Sequence, residues 1–83
     1  MKECEELNSS EMALLTICCD VCDNNPNCHR PREDIIKKIQ LKKPMKILKI
    51  LISNGFVTKH PTSGSMTYAI SKKGIECVNR FRI

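Results

Sequence analysis

Eighty-three residues, 41% hydrophobic and 28% charged, are expected to make one small domain with a marginal core, so that every apolar face has to be used. The formal net charge of +5 favours a polyanionic partner over a neutral one. The longest uncharged run in the first helical segment, Met12 to Cys19, falls far short of the roughly 20 residues that cross a bilayer.

The opening residues, MKECEELNSS, are acidic and carry no apolar stretch, so they do not read as a secretory signal. Residues 1–8 are expected as a flexible acidic leader and residues 9–83 as the folded domain. Charge is unevenly distributed. Residues 1–28 hold Lys2 against Glu3, Glu5, Glu6, Glu11, Asp20 and Asp23, whereas residues 29–83 hold thirteen Lys/Arg against Glu33, Asp34 and Glu76. Such polarity suits a domain that turns one side to phosphate.

Asn8 followed by Glu11 has the form of a capping box, and a first helix is predicted from about Ser9 to Cys22. Its polar side is narrow, around Thr16, Asp20 and Asp23. An apolar circumference this wide has two faces to bury, one in its own domain and one against a second copy, which predicts a homodimer. Asp23-Asn-Asn-Pro-Asn ends this helix. Pro31, with Glu33 and Asp34 behind it, opens a second short helix to about Ile39.

The third helix, within Lys42 to Val57, organises the rest. Pro44 fits its first turn and Asn54-Gly55 its end. At about 100° per residue, Lys42, Lys46, Lys49 and Ser53 fall on one side, with Met45, Leu48, Leu51 and Ile52 turned away from them. The period then changes to two: Phe56 to His60 and Met66 to Ile70 read as paired strands around the polar turn Pro61 to Ser65. Ser71 caps a final helix to about Phe81, with Ile75, Val78 and Phe81 as its inner side.

Two short helices joined tightly, then a hairpin, resemble the winged-helix branch of helix-turn-helix DNA-binding proteins. The segment Leu48-Lys-Ile-Leu51-Ile-Ser-Asn-Gly55-Phe-Val is similar to that family's recognition helix and wing opening, and Tyr68-Ala-Ile-Ser-Lys-Lys-Gly74 to the segment that closes the wing. In size, lysine bias and cysteine content the chain looks most like small regulators of archaea and of archaeal viruses and plasmids. The resemblance implies an α+β winged helix-turn-helix fold binding double-stranded DNA as a transcriptional regulator, in the cytoplasm of the cell or of a virus's host. Lys42, Lys43, Lys46, Lys49 and Ser53 then map to the groove-facing helix and Lys59, His60, Thr62, Ser63 and Ser65 to the wing, with Arg32 beside them. Winged helices also serve as protein-interaction scaffolds, which is the alternative.

Six cysteines admit three readings. Cys19, Cys22, Cys28 and His29 would make a zinc set, but two of them lie inside a helix and no matching CxxC follows. Disulfides among Cys18, Cys19, Cys22 and Cys28 would brace so small a core, Cys22 to Cys28 locally and Cys18 or Cys19 to a second subunit. The third reading makes the cysteines small buried hydrophobes. Catalysis is not expected: Cys19-Asp-Val-Cys22 sits at a helix C-terminus beside two aspartates, and neither histidine has a partner set at a catalytic spacing. No cofactor, membrane or small-molecule substrate is expected.

Overall fold

The first helix, α1 (Ser9–Val21), starts where the side chain of Asn8 accepts the Glu11 N–H at 2.8 Å while the Glu11 carboxylate accepts the Asn8 N–H at 3.0 Å. It ends at Cys22, after which Asp23 and Asn24 take left-handed φ values of 50° and 60° and turn the chain. The computed structural model describes residues 1–38 and 40–82. In order they form a 3-10 turn (Cys4–Glu6), α1, β1 (Arg30–Pro31), α2 (Arg32–Ile36), α3 (Pro44–Ser53), β2 (Val57–Pro61), β3 (Met66–Ile70) and α4 (Lys72–Phe81). The architecture is α+β, four helices and one three-stranded antiparallel sheet of order β1-β3-β2. No helix among the described residues is long and apolar enough to cross a membrane.

α1 is the central helix, packed by α2, α3, α4 and β3. Leu14, Leu15, Cys18 and Cys19 are buried against them. The wide apolar circumference expected to need a second copy is therefore largely covered from within the chain.

β1 is not anticipated by the sequence. It is two residues long and contains a proline, which shows no alternation and is tolerated only at a sheet edge. Arg30 pairs with Tyr68 and Pro31 with Thr67. Helix α2 is accordingly shorter than expected: Pro31, at ψ 157°, is its extended N-cap rather than its first helical residue. Ile39, the expected end of that helix, lies outside the described residues.

α3 closes with a Schellman motif. Gly55, at φ 80°, donates to the Ile52 carbonyl at 3.1 Å and Phe56 to the Leu51 carbonyl at 2.9 Å. Phe56 is thereby delivered to the core, fully buried with Leu48, Leu51, Val57 and Ile70. Ser71 caps α4 by accepting the Gly74 N–H and donates its own hydroxyl to the Gly55 carbonyl at 2.6 Å. A Cβ on Gly74 would lie 2.3 Å from the Phe56 carbonyl oxygen and 2.7 Å from Ile70 Cγ1, so only glycine admits this crossing.

The inner stripe of α4 is Gly74, Cys77 and Val78. Phe81, expected there, is 57% exposed, because the apolar period runs one turn further than the packing does. Residues 1–7, expected as a flexible acidic leader, make contacts with the rest of the domain. The Lys2 N–H donates to Asn54 Oδ1 at 2.6 Å, its Nζ lies 2.9 Å from both Glu11 carboxylate oxygens, Glu5 pairs with Arg80, and Cys4 is bridged to Cys77. Charge that looked solvated in sequence is spent tying residues 1–7 to α1 and α4.

Glu11 is the one buried charged residue among the described residues, 2% exposed. Burial alone would raise its pKa; the Asn8 N–H and the Lys2 ammonium outweigh that and hold it below the ordinary value.

Three outcomes are expected. Gly74→Ala lowers the urea midpoint without changing the m-value, by about 3 kcal/mol from overpacking against backbone that cannot shift; an unchanged midpoint would mean that α4 has room to move. Reducing the Cys4–Cys77 bridge, which closes a loop of sequence separation 73, costs about 4 kcal/mol, read as a lower thermal midpoint that the double variant Cys4→Ser with Cys77→Ser reproduces. For Glu11, whose folded pKa is depressed, the contribution is complete above the unfolded pKa and disappears as pH falls through the folded one. Glu11→Gln should therefore flatten the acid limb of a stability-versus-pH curve, and parallel curves would contradict this.

Candidate nucleic-acid interface

Pro44 sets the direction of α3, and Leu48 and Leu51 hold its inner face with no exposure at all. Lys46, Lys49 and Ser53 are then exposed on the outer face, with Lys42 and Lys43 exposed on the turn leading in. Lys43 takes a left-handed conformation, φ 53°, as the N-cap, and its carbonyl accepts the N–H groups of Lys46 and Ile47. The Ser53 hydroxyl donates back to the Lys49 carbonyl at 2.9 Å, leaving its oxygen only as an acceptor.

The hairpin stands beside this helix. Lys59 pairs in register with Tyr68, and Arg30 pairs with Tyr68 from the other side. Side chains in register project from the same sheet face, so Arg30 and Lys59 flank Tyr68 in one row. Arg30 is a basic residue that sequence reasoning missed, because the strand that places it is unreadable; its guanidinium lies 3.8 Å from Asp34. Lys37 and Lys38, exposed after α2, were missed as well. Between α3 and the hairpin lies a cleft of about 440 Å³ lined by Met45, Leu48, Lys49, Ile52, Ser53, Lys59, Met66 and Tyr68.

The expected hairpin residues do not share one role. His60 projects from the opposite sheet face to Lys59, where its ring stacks on that of His29 with centroids 4.0 Å apart, and its Nε2 lies 2.9 Å from the Thr58 hydroxyl. The Thr62 hydroxyl donates to the Ser65 carbonyl at 2.7 Å and accepts the Ser65 N–H at 3.2 Å, so it holds the turn. Ser63 and Ser65 are exposed at the tip. Arg32 lies 3.9 Å from Glu33 and lines a shallow hollow with Ser65 and Met66, where the start of α2 meets the hairpin.

Ion pairing separates the charges. Glu11 is taken by Lys2, Glu5 by Arg80 and Asp20 by Arg82. Lys42, Lys43, Lys46, Lys49 and Lys59 take part in no ion pair among the described residues. The acidic first third of the chain is thus partly neutralised by Lys2 and the end of α4, and the α3 lysines keep their charge for solvent or a partner.

The four cysteines of the disulfide reading, Cys18, Cys19, Cys22 and Cys28, are thiols within this chain, and the bridge in the structure joins Cys4 to Cys77. Burial, helped by the neighbouring Cys22 and Cys19, pushes Cys18 up to about 12; burial and then the adjacent Cys28 push Cys22 up to about 12. The Cys19 thiol, also raised chiefly by burial, donates to Asn24 Oδ1 at 2.8 Å, and that of Cys22 to the Cys28 carbonyl at 3.0 Å. Cys18, Cys19 and Cys22 behave as small buried hydrophobes. The candidate zinc set of Cys19, Cys22, Cys28 and His29 is not assembled: Cys19 turns to Asn24 and His29 to His60, and among the described residues no three His, Cys, Asp or Glu converge on a metal position.

Compared with protein-family models, curated proteins and solved structures, the chain has no significant match to any.

Proposed function

We propose that the chain is a winged helix-turn-helix protein that binds double-stranded DNA, acting as a transcriptional regulator, with α3 in the major groove and the β2–β3 hairpin on the adjoining backbone. The observation that carries this reading is the bare lysine face of α3, unpaired among the described residues and bordered by Lys59 of the hairpin. A further support is the order helix, edge strand, two helices, hairpin, helix, with α2 and α3 both packed on α1 and β1 pairing with the β3 strand of the hairpin. An α-helix is about 10–12 Å across with its side chains, which matches a major groove about 12 Å wide.

The mechanism requires neither cofactor nor catalysis. Each lysine that meets a phosphate displaces condensed counterions, so affinity comes from released cations and falls steeply with salt. Lysine gives position and strength more than sequence, because its compact, strongly hydrated ammonium lacks the rigid planar fork of Arg and the amide pair of Asn or Gln.

Binding to a random-sequence duplex should therefore weaken linearly in log–log form as salt rises. Lys46→Ala and Lys49→Ala should each weaken it and lower the slope by about one unit. Unchanged affinity in both variants would remove α3 as the reader, and binding without salt dependence would favour the protein-scaffold alternative.

A further inference from the structure

The exposed face of α3 carries lysines and Ser53 but no Asn or Gln, so it has no amide to make the paired contact that identifies adenine. Beside it runs the cleft between α3 and the hairpin. Its walls include Met45 and Ile52 of α3 and Met66 and Tyr68 of β3, with Lys49 and Lys59 among the lining residues and no carboxylate. Met66, 37% exposed, joins Met45, Ile52 and Tyr68 in giving the cleft its apolar lining. The surface thus pairs an apolar slot with two cations, on the side of the helix adjoining Lys49 and Ser53.

Among the base-edge groups that the major groove presents, the apolar one is the C5-methyl of thymine. We propose that the cleft between α3 and the hairpin takes thymine methyl groups, with Lys49 and Lys59 on the flanking phosphates, so that the protein prefers duplexes rich in A·T through an apolar contact. The absence of acidic side chains in the lining favours this occupant over a cationic or purely neutral one. This inference rests on the DNA-binding reading above and adds to it what is recognised.

The methyl can be separated from every other feature of the sequence. Four duplexes of equal length at one salt concentration suffice: alternating A·T, the same with deoxyuridine for thymidine, alternating G·C, and the same with 5-methyldeoxycytidine for deoxycytidine. The last places a methyl at the equivalent groove position on a different base pair. Thymidine should bind more tightly than deoxyuridine and 5-methyldeoxycytidine more tightly than deoxycytidine, by about fourfold for each methyl taken into the cleft. Met45→Asn and, on the other wall, Met66→Ser should each reduce both ratios toward one. Equal affinity within both pairs, with salt dependence intact, would overturn the methyl contact and leave DNA binding standing. A preference for A·T over G·C that ignores the methyl in both pairs would overturn it in favour of groove shape. Loss of salt-dependent binding to all four would overturn the DNA reading itself.

Discussion

The junction among the end of α3, the base of the hairpin and the start of α4 decides where every candidate side chain stands. Gly55 turns the chain at φ 80°, the Phe56 carbonyl accepts the Ser71 N–H at 3.0 Å, and the Ser71 hydroxyl bonds the Gly55 carbonyl. Both ends of the hairpin are therefore fastened to the last turn of α3. Gly74 lets α4 close over this knot, and the fully buried Phe56 ring fills it from the inside. Backbone hydrogen bonds thus set where the hairpin leaves the end of α3, and with it the position of the cleft between them.

Around that junction the charges are arranged by partner availability. The N-terminal turn is drawn across α1 and α4 by Lys2, Glu5 and the Cys4–Cys77 bridge, which uses acidic residues and two of the α4-side cations or thiols at once. Surface pairs such as Glu5 with Arg80 add little stability individually, on the order of 0.5 kcal/mol. Their larger effect is on the field: acids gathered near the chain ends leave α3 with an uncompensated positive face. Docking the N-terminus and exposing the lysines are two sides of one arrangement.

The cysteines show how a single residue type divides by position. Cys18, Cys19 and Cys22 lie on the inner side of the central helix, where burial keeps the thiols protonated and each serves as a compact apolar filler. Cys4 and Cys77, far apart in sequence and each without a cysteine-rich neighbourhood, make the bridge. Of the bridges expected within the chain, Cys22 to Cys28 is not formed, and the Cys22 thiol donates to the Cys28 carbonyl instead.

Much of the architecture is local and so legible from the residues. The Asn8 and Glu11 capping box, Pro44 at the head of α3, Gly55 at its end and the two alternating segments around the hairpin act within a few residues of themselves, and the elements fall close to where these signals put them. The amphipathic split of α3 is local for the same reason: 3.6 residues per turn decides which side chains oppose which. What only the tertiary structure decided are the contacts between distant segments. β1 exists because β3 offers it a partner, α1 is wrapped because four elements converge on it, Phe81 is bare because packing stops before the period does, and residues 1–7 are held because Asn54, Glu11 and Cys77 happen to lie beneath them. Periodicity describes a helix or strand with respect to its own axis, and nothing in it encodes which other surface will be brought against that axis.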